Sequence, residues 1–166
     1  AHAQSGATLP RVLFDKMLAA KNFQSGMQML RQIEFSLYDM RLHAEYQDAQ
    51  PAMIFSVMNE VRDRVAVVPV PEFNRFAHSF SHIFAGGYSA GYFSYKWAEV
   101  LSADVFAMFE EAMAHGAPLL NQNLGQRYWR EVLAVGGSRP AMTSFKALRG
   151  REPQVDALLR HSGLTA

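Results

Sequence analysis

Apolar residues recur at three- and four-residue steps along nearly the whole chain, the spacing that puts them on one face of an α-helix. Val12, Leu13 and Leu18 predict a helix over 11–20, opened by Pro10, whose missing amide costs little in a first turn. Met27, Leu30, Ile33, Leu37 and Met40 predict a long helix over about 23–46. Pro51 opens a third, carrying Ile54, Val57, Met58 and Val61. Two prolines in Val65–Pro71 make that stretch an extended connector rather than a sheet strand. Residues 74–84 read as a short helix, Gly86-Gly87 as a break, and 88–115 as a long helix closed by Gly116 and Pro118. A helix near 119–135, a turn at Gly136-Gly137-Ser138-Arg139-Pro140 and two short helices complete the chain, the last from Pro153 to Gly163. The expectation is an all-α multi-helix fold, with residues 1–166 forming one helical unit.

Composition narrows the function classes. Apolar residues make up 49% and charged residues 19%, the balance of a chain that packs a core. Sixteen Lys and Arg against 15 Asp and Glu leave a formal charge of +1, with no electrostatic footprint for nucleic acid or an acidic membrane. There is no cysteine, so disulfides, thiolate zinc sites and thiol nucleophiles are excluded. Apolar runs are as short as Val65-Ala66-Val67-Val68, and residues 1–6 have no signal-peptide character. Neither G-x-S-x-G nor a phosphate-binding G-x-x-x-x-G-K-[ST] occurs.

Two constellations carry candidate chemistry. His78 and His82 stand four apart, a zinc-ligand spacing on a helix, but Ser79 occupies the place of the Glu in H-E-x-x-H and no third ligand is evident. Capping or core histidines are therefore expected, and no metal site. Tyr88, Tyr92 and Tyr95 fall at i, i+4 and i+7, which would line three phenols along one helix face just after Gly86-Gly87. Such phenols can donate hydrogen bonds to a peptide carbonyl or to the oxyanion formed from it. Spacing alone favours the commoner use, an aromatic stripe packed in a core with its hydroxyls at the boundary. Phe93 and Trp97 fall off that face and are expected in the core, as are Met27, Met40, Met58 and Met113. Glu99 with Asp104, and Glu110 with Glu111, read as solvated helix surface.

The string from His82 to Val100, HIFAGGYSAGYFSYKWAEV, resembles the substrate-recognition stretch of the thimet oligopeptidase family of zinc metallopeptidases. Leu18–Phe23 continuing to Arg31–Phe35 resembles that family's helices after the zinc site, and Gly136–Pro140 with Phe145–Gly163 its C-terminus. The resemblance implies a largely helical peptidase that cleaves short peptides in a deep channel. It implies His82 near the scissile bond, Tyr88 and Tyr95 supporting the tetrahedral intermediate, and Gly86, Gly87, Tyr88, Tyr92 and Tyr95 contacting substrate. Phe93 stands where many relatives have Tyr. Zinc in the complete enzyme would be held by H-E-x-x-H and a further Glu, all upstream of this region and absent from the sequence. The isolated chain is then expected to be an inactive C-terminal fragment that binds no zinc. Its partners would be short peptides and the upstream zinc-bearing half, in the cytoplasm, with neither nucleic acid nor membrane. A stand-alone, non-catalytic helical peptide-binding domain is the alternative. A fragment of this kind should expose apolar surface and self-associate.

Overall fold

The computed structural model describes residues 2–48 and 50–165. Every regular element among them is helical, so the chain is all-α, as the periodicity predicts. Helix α1 (Arg11–Lys21) follows Pro10 and buries no residue. Its apolar face is open, with Val12 66% and Met17 61% exposed. Helix α2 (Ser25–Glu45) enters through Gln24 in the left-handed conformation at φ 53° and packs against α3 (Met53–Val65).

Between these helices lies the larger core. Tyr38 and Leu42 of α2 meet Val57 and Met58 of α3, and Ala77, Phe80 and Ile83 close it from the following segment. Complete burial of side chains of this kind contributes about 1.5–3 kcal/mol each. The connector after α3 bends at residues 67–68 and runs on irregularly through Pro71, without a strand. The short helix expected over 74–84 divides instead into α4 (Phe76–Ser79) and a 3₁₀ turn (Ser81–Ile83).

Helix α5 (Ser94–Ala114) is the spine of the second half. It packs against α8 (Asp156–His161) through Ala103, Ala107 and Ala157, small residues that let the backbones approach closely, and against α7 (Ala141–Arg149). Between them α6 (Gln122–Tyr128) runs into a single π turn, Trp129–Leu133. The two halves are tied where the C-terminal end returns to the start of α2. There Ser25 Oγ donates to the carbonyl of Ser162 at 2.6 Å, and Gly26 faces the Leu164 side chain.

Several surface expectations are corrected. Trp97 and Phe93 are 51% and 44% exposed, and Met27, Met40 and Met113 also face outward, because no described element packs over those faces; only Met58 of the four methionines is core. The Glu110-Glu111 pair is engaged rather than merely solvated. Glu110 accepts from Arg160 at 2.7 Å and contacts His161 at 2.9 Å, while Glu111 takes both Nη groups of Arg149. Asp104, 1% exposed, accepts from Arg149, from both Nη groups of Arg151 and from the Gln154 amide. The return of α7 and α8 onto α5 supplies these partners from 38–51 residues away, which no local pattern reveals.

Candidate functional site

The segment between Ile83 and Ser94 was expected to start a helix at Tyr88. The helix begins at Ser94 instead, and residues 84–93 form a chain of turns. That path requires glycine at two positions. A Cβ on Gly86 would stand 2.8 Å from the His82 carbonyl oxygen and 2.9 Å from its Cα, so the loop closes against its own backbone only at glycine. Gly87 sits at φ 79°, and Ala90 shares the left-handed region at φ 52° without being a glycine.

The three tyrosines nevertheless converge, through the loop rather than along a helix face. The Tyr88 and Tyr95 rings stack at 5.2 Å between centroids, and Tyr92 meets Tyr95 edge-on at 5.1 Å. His82 lies 6.1 Å from Tyr88 and 6.4 Å from Tyr92. Tyr88 and Tyr95 are 36% and 40% exposed, so this cluster is an open face and not a sealed core.

The phenols differ in what they have left to give. Tyr92 donates its hydroxyl to Gln32 Oε1 of α2 at 3.2 Å, and its ring packs on Phe35 and Phe80. Burial pushes its pKa up, against the opposing charge of Arg31. Tyr95 is also raised, first by the adjoining Tyr88 phenol, then by desolvation and the charge its phenol neighbours would carry. Both remain protonated donors at neutral pH.

His78 and His82 separate. Phe80, at φ −83° and ψ 63°, ends α4 between them, so the four-residue spacing does not act on one continuous helix. His78 is exposed and packs edge-on against Phe55, whereas His82 faces the tyrosines. Among the described residues no three His, Asp or Glu side chains group closely enough to hold a metal ion. The residues present do not fit a zinc centre.

A cleft of about 660 Å³, lined in part by Gln32, lies between α2, the 66–71 connector and Lys96 and Glu99 of α5. None of His82, Tyr88 or Tyr95 lines it.

The model of peptidase family M3 matches residues 1–164. The chain belongs to peptidase family M3. Over 163 residues it is 52% identical to oligopeptidase A of Escherichia coli, a match covering 98% of the chain and 23% of that relative. It is 46% identical to the organellar oligopeptidase A, chloroplastic/mitochondrial, of Arabidopsis thaliana, over 99% of the chain and 21% of the relative. Saccharolysin of Saccharomyces cerevisiae is 33% identical over 98% and 22%. The chain thus spans less than a quarter of the length of these relatives.

Two residues of this M3 chain shape the loop without having been singled out by its sequence. Gln32 takes the Tyr92 hydroxyl. Asp39, 1% exposed, accepts the backbone N–H groups of Ala90 and Tyr92, one on each carboxylate oxygen, at 2.9 Å. His43 Nδ1 lies 2.9 Å from the same carboxylate. The one sequence signal is an acid on the apolar stripe of α2, four residues after Phe35 and three before Leu42. An isolated charge there is costly unless paired, so it implies a partner without naming it.

Proposed function

We propose that this chain is the substrate-facing part of an M3 oligopeptidase that hydrolyses short peptides with zinc held by residues outside this chain. The observation that carries the reading is the convergence of His82, Tyr88 and Tyr95 into one exposed polar cluster on a glycine loop. Tyr92 is tied to Gln32, which suits a part in shaping the surface that receives substrate, alongside Gly86 and Gly87. Tyr88 and Tyr95 keep hydroxyls at the open face, where a phenol can donate to a peptide carbonyl and more strongly to the oxyanion that grows from it. His82, beside Tyr88, sits to contact the peptide near the bond cleaved. A zinc held elsewhere in the complete enzyme would supply Lewis-acid polarisation and an activated water.

Alone, this chain is expected to be inactive. The open apolar faces of α1 and of Trp97 and Phe93 are then surfaces on which the upstream zinc-bearing half packs. No described helix is long and apolar enough to cross a membrane. The cytoplasm is proposed as the site of action, in line with the name of a probable cytosolic oligopeptidase A, 46% identical, from Arabidopsis thaliana.

The two histidines test the reading because they differ in surroundings. In the complete protein, His82→Ala should lower kcat/KM on an internally quenched peptide by about tenfold to a thousandfold. His78→Ala, at a residue packed on Phe55 rather than on the tyrosines, should change it by less than about threefold, since loss of an exposed contact leaves the chemistry untouched. The reverse ranking would remove His82 from the site.

A further inference from the structure

From the stripe on α2 we infer that Asp39 is a positioning residue, the clamp that holds the Ala90–Tyr92 turn and thereby sets where Tyr88, Tyr92 and Tyr95 stand. The inference rests on the reading of the tyrosine cluster as the substrate face. Gln32, Phe35, Asp39 and His43 recur at three- and four-residue steps, so they lie along one side of α2. Each touches the loop: Gln32 the Tyr92 hydroxyl, Phe35 the Tyr92 ring at 5.8 Å, Asp39 the two amides, and His43 the Phe84 ring at 6.0 Å.

Of these contacts only Asp39 holds backbone. Its two oxygens take separate N–H groups two residues apart, a fork that fixes the turn's direction as well as its place. The turn needs fixing because Ala90 is in the left-handed region, where a Cβ is disfavoured. Ser89 Oγ on the Ile83 carbonyl at 2.7 Å and the Gly91 amide on the Tyr88 carbonyl at 2.8 Å hold the loop to itself, but neither ties it to α2. Without the carboxylate, Ala90 relaxes, Tyr92 shifts, and the rings stacked through Tyr95 follow. A neutral isostere cannot substitute. Asn presents one acceptor oxygen and an NH₂ donor, which would oppose one of the two amides.

The test uses the protein as its gene encodes it, with Tyr88, Tyr92 and Tyr95 followed by ¹⁹F NMR of 3-fluorotyrosine. Asp39→Asn should move the Tyr88 and Tyr92 signals. It should also lower kcat by roughly tenfold to a hundredfold, the effect of an ångström-scale misplacement, with KM changed by less than about threefold. Adding Ala90→Gly, which lets the turn form without strain, should restore several-fold of that loss. A merely structural role would lower melting temperature and give additive losses instead. Unmoved signals and unchanged kcat, or strict additivity with Ala90→Gly, would overturn the inference. If Asp39→Asn does not fold, amide exchange in the unaltered protein decides it. Ala90 and Tyr92 should exchange much more slowly than Gly87, and equal rates would overturn the clamp. The two readings fail differently. Moved fluorine signals with fully active Tyr88→Phe and Tyr95→Phe would refute the substrate face and keep the clamp. Inactive tyrosine variants with an inert Asp39→Asn would refute the clamp alone.

Discussion

In the complete peptidase, Tyr88→Phe or Tyr95→Phe is expected to lower turnover by about 10²–10³, the usual effect of removing one oxyanion donor. Phe keeps the ring and therefore the 5.2 Å stack between these residues, so the change isolates the hydroxyl. The loss should fall on kcat and kcat/KM together and leave KM nearly constant, because on the proposed reading the bond is strongest in the transition state. Tyr92→Phe should cost less, since its hydroxyl is already given to Gln32. Steady-state kinetics on an internally quenched peptide checks all three. A larger loss for Tyr92→Phe than for both others would mean that the wrong phenols have been assigned.

The second large effect concerns stability. Asp104→Ala removes the carboxylate on which Arg149, Arg151 and the Gln154 amide meet. Breaking a buried pair costs roughly 3–5 kcal/mol, because the remaining charge is left desolvated. Here the value should lie near the lower end. Arg149, its side chain 5% exposed, keeps Glu111, and Arg151 is partly exposed. A loss of about 3 kcal/mol corresponds to a melting temperature lower by roughly 6–12 °C in a chain of this size. Denaturant titration and calorimetry measure it.

The same cluster fixes the direction of the acid response. Burial alone would raise the pKa of Asp104, but the Arg151 hydrogen bonds, the Gln154 amide and the two guanidinium charges outweigh it and hold the carboxyl below its ordinary range. Glu110 is lowered first by its hydrogen bond from Arg160, and Glu111 by that from Arg149. Carboxyls with folded pKa values below their unfolded ones add stability above about pH 4 and lose it as pH falls through the folded values. Asp104→Ala should therefore lower the melting temperature less at pH 3 than at pH 7. Equal losses at both would show that packing, not charge, accounts for the clasp.

Much of this architecture was legible as periodicity. Val57, Met58 and Val61 fall on the buried side of α3 as their spacing requires, and α7 starts just after Pro140, while α8 begins at Asp156, three residues beyond the Pro153 expected to open it. The convergence of Tyr88, Tyr92 and Tyr95 was legible too, but its cause was not. The i, i+4, i+7 spacing suggested a helix face, whereas turns bring the rings together, with Ala90 left-handed and the Asp39 carboxylate taking amides that a helix would have paired internally. That acceptor lies 51 residues earlier in the chain. Periodicity likewise marks Val12, Met27 and Trp97 as apolar-face residues without saying what covers the face, and in this chain nothing described does.

Cleavage of an internally quenched peptide by this purified chain with added zinc, with and without a chelator, tests the central claim most directly. The account predicts no turnover in either condition, and turnover in the complete protein. Chelator-sensitive turnover by the chain alone would contradict it, and would mean that these 166 residues build a metal centre of their own.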